Sequence, residues 1–182
     1  MENKGTPFSE VFDLFFSLIT DDMFLELDKG ETEELCGDLL VAAIPSFEFP
    51  RIPLDFTVTK TRLVEKPKIS VVNDETQVTY EKEETAGLGY FHSSLSLEEK
   101  RILATYMVVQ WLGQQLASVE LTRMKYAGSD FKLTSQANHM AKLLQLKKEY
   151  VSEGFHLQRL YSRRKVNEDG IYVPTWDNLR TQ

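Results

Sequence analysis

A polar elbow at residues 130–139, DFKLTSQANH, joins two stretches of helical periodicity that together span about half of this 182-residue chain. Before it, Ile102, Leu103, Tyr106, Met107, Val109, Leu112, Leu116 and Val119 recur every three or four residues. After it, Ala137, Met140, Leu143, Leu144, Leu146, Val151, Phe155 and Leu160 do the same. Two long helices joined by a short connection lie antiparallel, and the first carries an apolar face broad enough to be covered from more than one side. It is the expected central helix. Ser96 followed by Glu99 gives it a capping box. The break at 126–129, YAGS, ends it, and Thr134 or Ser135 can cap the second helix. Gly154 weakens that second helix by about 1 kcal/mol relative to alanine unless close packing needs the missing side chain, so it marks either a bend or a tight contact.

Upstream, Thr6 and Pro7 open a short apolar helix carrying Phe8, Phe12, Phe15, Phe16 and Ile19, which Asp21 and Asp22 end. Asp28 or Thr32 can cap the next helix, with Leu35, Leu39, Leu40, Ala43 and Ile44, and Pro45, Pro50 and Pro53 stop it. Phe47, Phe49 and Ile52 then alternate with polar residues or prolines, an extended crossing expected to pin the first two helices onto the core. From Phe56 to Glu81 the period becomes two, and 69–72, ISVV, and 77–80, QVTY, flank a predicted four-residue loop at 73–76. A lone hairpin is marginal. It either caps one end of the helices or serves as an assembly arm, with Val71 and Val78 as its candidate contact residues.

Beyond Tyr161 the periodicity fails. A basic run, SRRK at 162–165, leads through the turn signal EDG at 168–170 to the apolar stretch IYVPTW at 171–176. A tail of this length cannot bury Tyr172 and Trp176 by itself, and docking on a neighbour, where aromatic anchors are common, is favoured over folding back. The fold class is therefore mainly α: a helical bundle with two long antiparallel helices, a small β-hairpin or β-sheet extension and an extended C-terminal tail. The expected organisation is one helical domain over 1–165 with a β insertion at about 55–83, and a tail over 166–182.

Charge narrows the functional classes. The net charge of −7 is uneven, because residues 1–50 hold twelve acids against two bases while 51–182 hold sixteen against nineteen. Such a chain is poorly suited to gripping a phosphate backbone, which needs clustered Lys and Arg, although it can border a channel through which DNA passes without sticking. Arg159, Arg163, Arg164 and Lys165 form the basic cluster best suited to an anionic partner, DNA included. Cations at a helix C-terminus suit the helix dipole, and these can also meet the acidic residues of 10–38 on another copy. With a single cysteine, Cys36, there is no intrachain disulfide and no cysteine-based zinc site. The sequence shows neither a secretory leader nor a long apolar span, so a cytoplasmic product without a membrane segment is expected.

Chemistry finds little footing. His92, His139 and His156 fall in no metal-binding spacing, and phosphate-cradling, dinucleotide-binding and nucleophile-elbow motifs are missing from the sequence. Adjacent acids such as Asp21–Asp22, Glu33–Glu34 and Glu83–Glu84 read as solvated helix ends and loop charges. No enzyme and no cofactor is expected. His139 is placed in the first turn of its helix, bonding across the elbow.

Several segments nevertheless resemble a known group. Met107-x-x-Gln110-Trp111-Leu112-x-x-Gln115, Ser118-x-Glu120, the elbow at 130–139, and Leu160-Tyr161-x-Arg163-Arg164 are similar to a structural-protein family of tailed bacteriophages. The runs ITDDMF at 19–24 and Ala43-Ile44-Pro45-x-Phe47 fit the same pattern. The resemblance implies a virion protein of the neck, similar to the adaptor or head-completion proteins that form a ring beneath the portal and join capsid to tail. It implies as partners the portal protein, other neck or tail proteins and further copies of the chain, twelve by analogy, with DNA passing through unbound. Asp130 and Lys132 of the elbow join Arg159, Arg163, Arg164, Lys165, Tyr172, Trp176, Val71 and Val78 as candidate interface residues. Two alternatives share the composition: a tail-side stopper or tail terminator, and a small regulatory protein that binds DNA or a host factor.

Overall fold

The computed structural model describes residues 5–19, 24, 27–58, 65–72, 75–82, 89–126, 133–166 and 172–174, with backbone alone over 65–72, 75–82, 122–126, 133–137, 165–166 and 172. Helix α1 is Ser9–Leu18 and α2 is Lys29–Ala43, followed by a 3-10 turn at Ile44–Ser46. Strand β1 is Phe56–Val58, β2 Glu65–Val72, β3 Glu75–Lys82 and β4 Gly89–Phe91. Helix α3 is Leu97–Tyr126 and α4 Leu133–Arg163; β5, Arg164–Val166, and β6, Tyr172–Pro174, close the described chain. The protein is mainly helical, with two long helices packed together and small antiparallel strand pairs beside them.

The long helices run antiparallel, as three contacts along their length show. Glu99 meets Tyr161, Tyr106 lies against Gly154, and Lys147 reaches Gly113. α3 is the centre of the molecule, because α1 and α2 also pack on it. Its residues Ile102–Val109, Trp111 and Leu112 are all buried, together with Phe8, Val11, Phe12 and Phe15 from α1 and Cys36, Leu39, Leu40 and Ala43 from α2. Burial at this scale stabilises each large side chain by about 1.5–3 kcal/mol. Phe16, counted with the core by its spacing, is partly exposed on the outer side of α1.

Capping fixes where these helices begin. Asp28 accepts from the Glu31 amide at 2.8 Å while the Glu31 carboxylate accepts from the Asp28 amide, so Asp28 rather than Thr32 starts α2. Ser96 and Glu99 form the expected box at α3: the Ser96 amide donates to Glu99 Oε2 at 2.7 Å. α4 begins at Leu133, ahead of both residues expected to cap it. It continues through Gly154 without interruption, and the glycine marks close packing rather than an end.

β1 and β4 pair antiparallel, Phe56 opposite Phe91 and Val58 opposite Gly89, and the segment at residues 6–8 runs along the other side of β4. Phe8, Phe56 and Phe91 pack their rings together behind this patch. A Cβ at Gly89 would stand 2.7 Å from the Thr57 carbonyl and 2.8 Å from the Phe8 ring, so only glycine fits where the strands and the ring converge. Between β1 and β4 the chain makes the β2–β3 hairpin. Its pairing runs on through Val71 opposite Thr76 and Val72 opposite Glu75, leaving Asn73 and Asp74 between the paired strands instead of the expected four-residue loop. Two short polar residues suffice for a hairpin connection.

Candidate functional site

The crossing at 47–55 and the last three turns of α4 build the most developed surface feature. The crossing has no ladder partner, so its amides need acceptors from elsewhere. α4 supplies them: the Glu48 amide donates to Gln158 Oε1 and the Arg51 amide to the Tyr161 hydroxyl, each at 2.9 Å. Gln158 Nε2 donates in turn to the Ser46 carbonyl and to the Tyr106 hydroxyl. Tyr161 is the hub. Its hydroxyl donates to Glu99 Oε1, its ring packs edge-on against Phe47, and the Arg51 guanidinium lies 3.9 Å from its centroid while donating to its backbone carbonyl.

Burial and the Glu99 carboxylate raise the pKa of Tyr161 well above that of a free phenol, and burial also raises Tyr106. Both side chains therefore act as neutral pins. Burial, with Glu33 nearby, pushes the Cys36 thiol up to about 12, which leaves it a packing group without nucleophilic character.

Fastening the crossing in this way does not put all of its aromatics inside. Phe47 is buried, but Phe49 is 75% exposed, because after the 3-10 turn the crossing is held by side-chain staples that do not keep both aromatics on one face. Phe155, counted with the core by its spacing, is 51% exposed on α4; Leu144 and Leu146 are exposed too. Phe49 and Phe155 flank a groove of about 400 Å³ whose remaining walls are Phe47, Glu48, Gln158, Arg159 and Ser162. Here reasoning from sequence missed the residues that matter. A signal existed: Leu143, Tyr150 and Leu157, with Lys147, Gly154 and Tyr161, recur every seven residues and define the seam facing α3. Phe155 stands off that seam.

The candidate interface residues divide as follows. Arg159 and Arg163 are exposed on α4, and Arg159 lines the groove. Arg164 ion-pairs with Glu98 at the start of α3, so it holds the two helices together and is a poor probe of assembly. Lys165 pairs with Val173, and Tyr172 with Val166, so the start of the tail turns back as a two-stranded ribbon on the end of α4. Val71 and Val78 share one face of the β2–β3 hairpin, with Ile69 opposite Val78. Asp130, Lys132 and Trp176 lie outside the described residues. The histidines are scattered: His92 bridges to Thr57 across β1 and β4 at 2.8 Å, while His139 and His156 are exposed on α4.

Among the described residues no group of His, Cys, Asp and Glu could hold a metal, and no helix is long and apolar enough to cross a membrane. In comparison with known proteins, no family model, no curated protein and no solved structure matches this chain.

Proposed function

We propose that this chain is a structural component of the neck of a tailed phage, an adaptor or head-completion protein that assembles as a ring and joins the portal to the tail. The observation that carries the reading is the outward-reaching architecture. The far half of the α3–α4 pair, residues 113–121 and 138–149, contains no buried residue among those described, and the β2–β3 hairpin is inserted between the paired strands β1 and β4. A small bundle that extends a helical pair beyond its own core, and inserts a β-ribbon between two paired strands, offers several surfaces to neighbours.

Of the residues that carry the resemblance, Gln115, Ser118 and Glu120 lie on the far half of α3. Met107, Trp111, Leu112 and Tyr161 are core residues. The mechanism is mechanical: copies packed side by side about an axis, with arm and tail bridging to adjoining rings. The test is cryo-electron microscopy of the purified protein mixed with portal rings of the phage that encodes it. A ring seated on the portal is expected; a chain that leaves portal rings bare overturns the adaptor reading and favours the tail side of the neck or a regulatory role.

A further inference from the structure

The groove between Phe49 and Phe155 has the chemistry of a seat for another helix, and α2 carries an edge that matches it. We propose that the groove of one copy receives the α2 edge of a second copy as an antiparallel helix on α4, with Val41 and Ala42 against Phe49 and Phe155 and with Asp38 beside Arg159. The identity of the partner rests on the ring-forming reading above.

Three features support the pairing. The outer stripe of α2 is exposed at Glu31, Glu34, Asp38, Val41 and Ala42, acidic through its first turns and apolar in its last. The outer stripe of α4 carries the reverse complement: apolar at Phe155, then basic at Arg159 and Arg163, all exposed. Spacing agrees as well. At about 1.5 Å per residue, Val41 to Glu34 covers roughly 10 Å and Phe155 to Arg163 roughly 12 Å, so an antiparallel alignment keeps apolar on apolar and acid on base over two turns. Glu48 adds a carboxylate to the groove wall. It disfavours a wholly acidic occupant and selects an edge that is apolar where it enters and acidic only towards Arg159.

The experiment uses the full chain and measures its mass in solution by sedimentation, with circular dichroism confirming the fold of each variant. Arg159→Glu and Asp38→Arg, both at exposed positions, should each weaken association at least tenfold, and the double variant should regain most of it. Assembly that ignores both exchanges overturns the contact while leaving the ring in place, and gives the groove to residues 175–182 or to a different protein. Rescue by the double variant in a species that stops at a dimer keeps the contact and overturns the ring. A monomer at every concentration overturns both.

Discussion

The α3–α4 pair is one structure with two halves. In the near half, α3 buries every residue from Ile102 to Val109 together with Trp111 and Leu112, and Gly154 and Tyr161 of α4 are buried against it. In the far half, none of residues 113–121 or 138–149 is buried, and Leu121 is 67% exposed. The apolar periodicity is similar in both. What differs is the company: α1 and α2 cover the other side of α3 in the near half, whereas the far half presents its outer faces to solvent. Two helices cover only one stripe of each other, and a third element is needed to close a core. The near half therefore carries stability, and the far half is free to carry contacts.

Truncation of equivalent leucines gives the largest expected contrast. Leu103→Ala removes a fully buried side chain from the meeting point of several elements and should cost about 2–5 kcal/mol. Leu121→Ala should stay within about 0.5 kcal/mol of the parent. Denaturant titrations of both variants decide the matter, and equal losses would mean that the far half is covered.

A smaller effect separates the buried polar hub from the exposed surface. In Tyr161→Phe the Glu99 carboxylate, 4% exposed, loses a donor and the Arg51 amide loses its acceptor, which together should cost about 2–3 kcal/mol at neutral pH. The pH dependence has a definite sign. Because the folded-state pKa of Tyr161 is raised, the native protein keeps its phenolic proton above about pH 10, where the unfolded chain loses it. That stabilisation is complete below the unfolded value and declines as pH rises towards the folded one. The gap between parent and variant should therefore narrow above pH 10, and Tyr106 and Cys36, shifted the same way in both proteins, cancel from the difference. A gap constant from pH 8 to pH 11 would show that Tyr161 ionises normally.

These contrasts explain what could be read from the residues alone. The capping box at Ser96, the antiparallel long helices and the central place of α3 follow from local spacing, which is a property of one or two helical turns. Burial of a given apolar residue depends on what lies across from it. Spacing alone treats Leu103 and Leu121, about five helical turns apart on one face, alike, because nothing local states where α1, α2 and the 47–55 crossing come to rest. The groove was hidden for the same reason. Phe49 belongs to it only because Gln158 and Tyr161, more than a hundred residues away, hold the Glu48 and Arg51 amides and swing the intervening side chain outward.

Glycine substitutions offer the finest test of the two halves. At Gly154 an added Cβ would stand 2.7 Å from Tyr106 Cζ and 2.9 Å from its hydroxyl oxygen. The ring cannot yield freely, because Gln158 Nε2 holds that hydroxyl at 2.6 Å. Gly154→Ala should therefore lose about 1–3 kcal/mol to overpacking, outweighing a helix-propensity gain of up to about 1 kcal/mol. At Gly113, across from the same helix but in the far half, the nearest atom to an added Cβ is Lys147 Nζ at 3.0 Å, the end of a flexible side chain bordering solvent. The ammonium can move at little cost, so Gly113→Ala should keep its propensity gain and stabilise the protein by about 0.5–1 kcal/mol. Opposite signs at two glycines in one helical pair would place the limit of tight packing between residues 106 and 113 of α3. If both alanines destabilise alike, the far half is as closely packed as the near half, and its place as a surface for neighbours is lost.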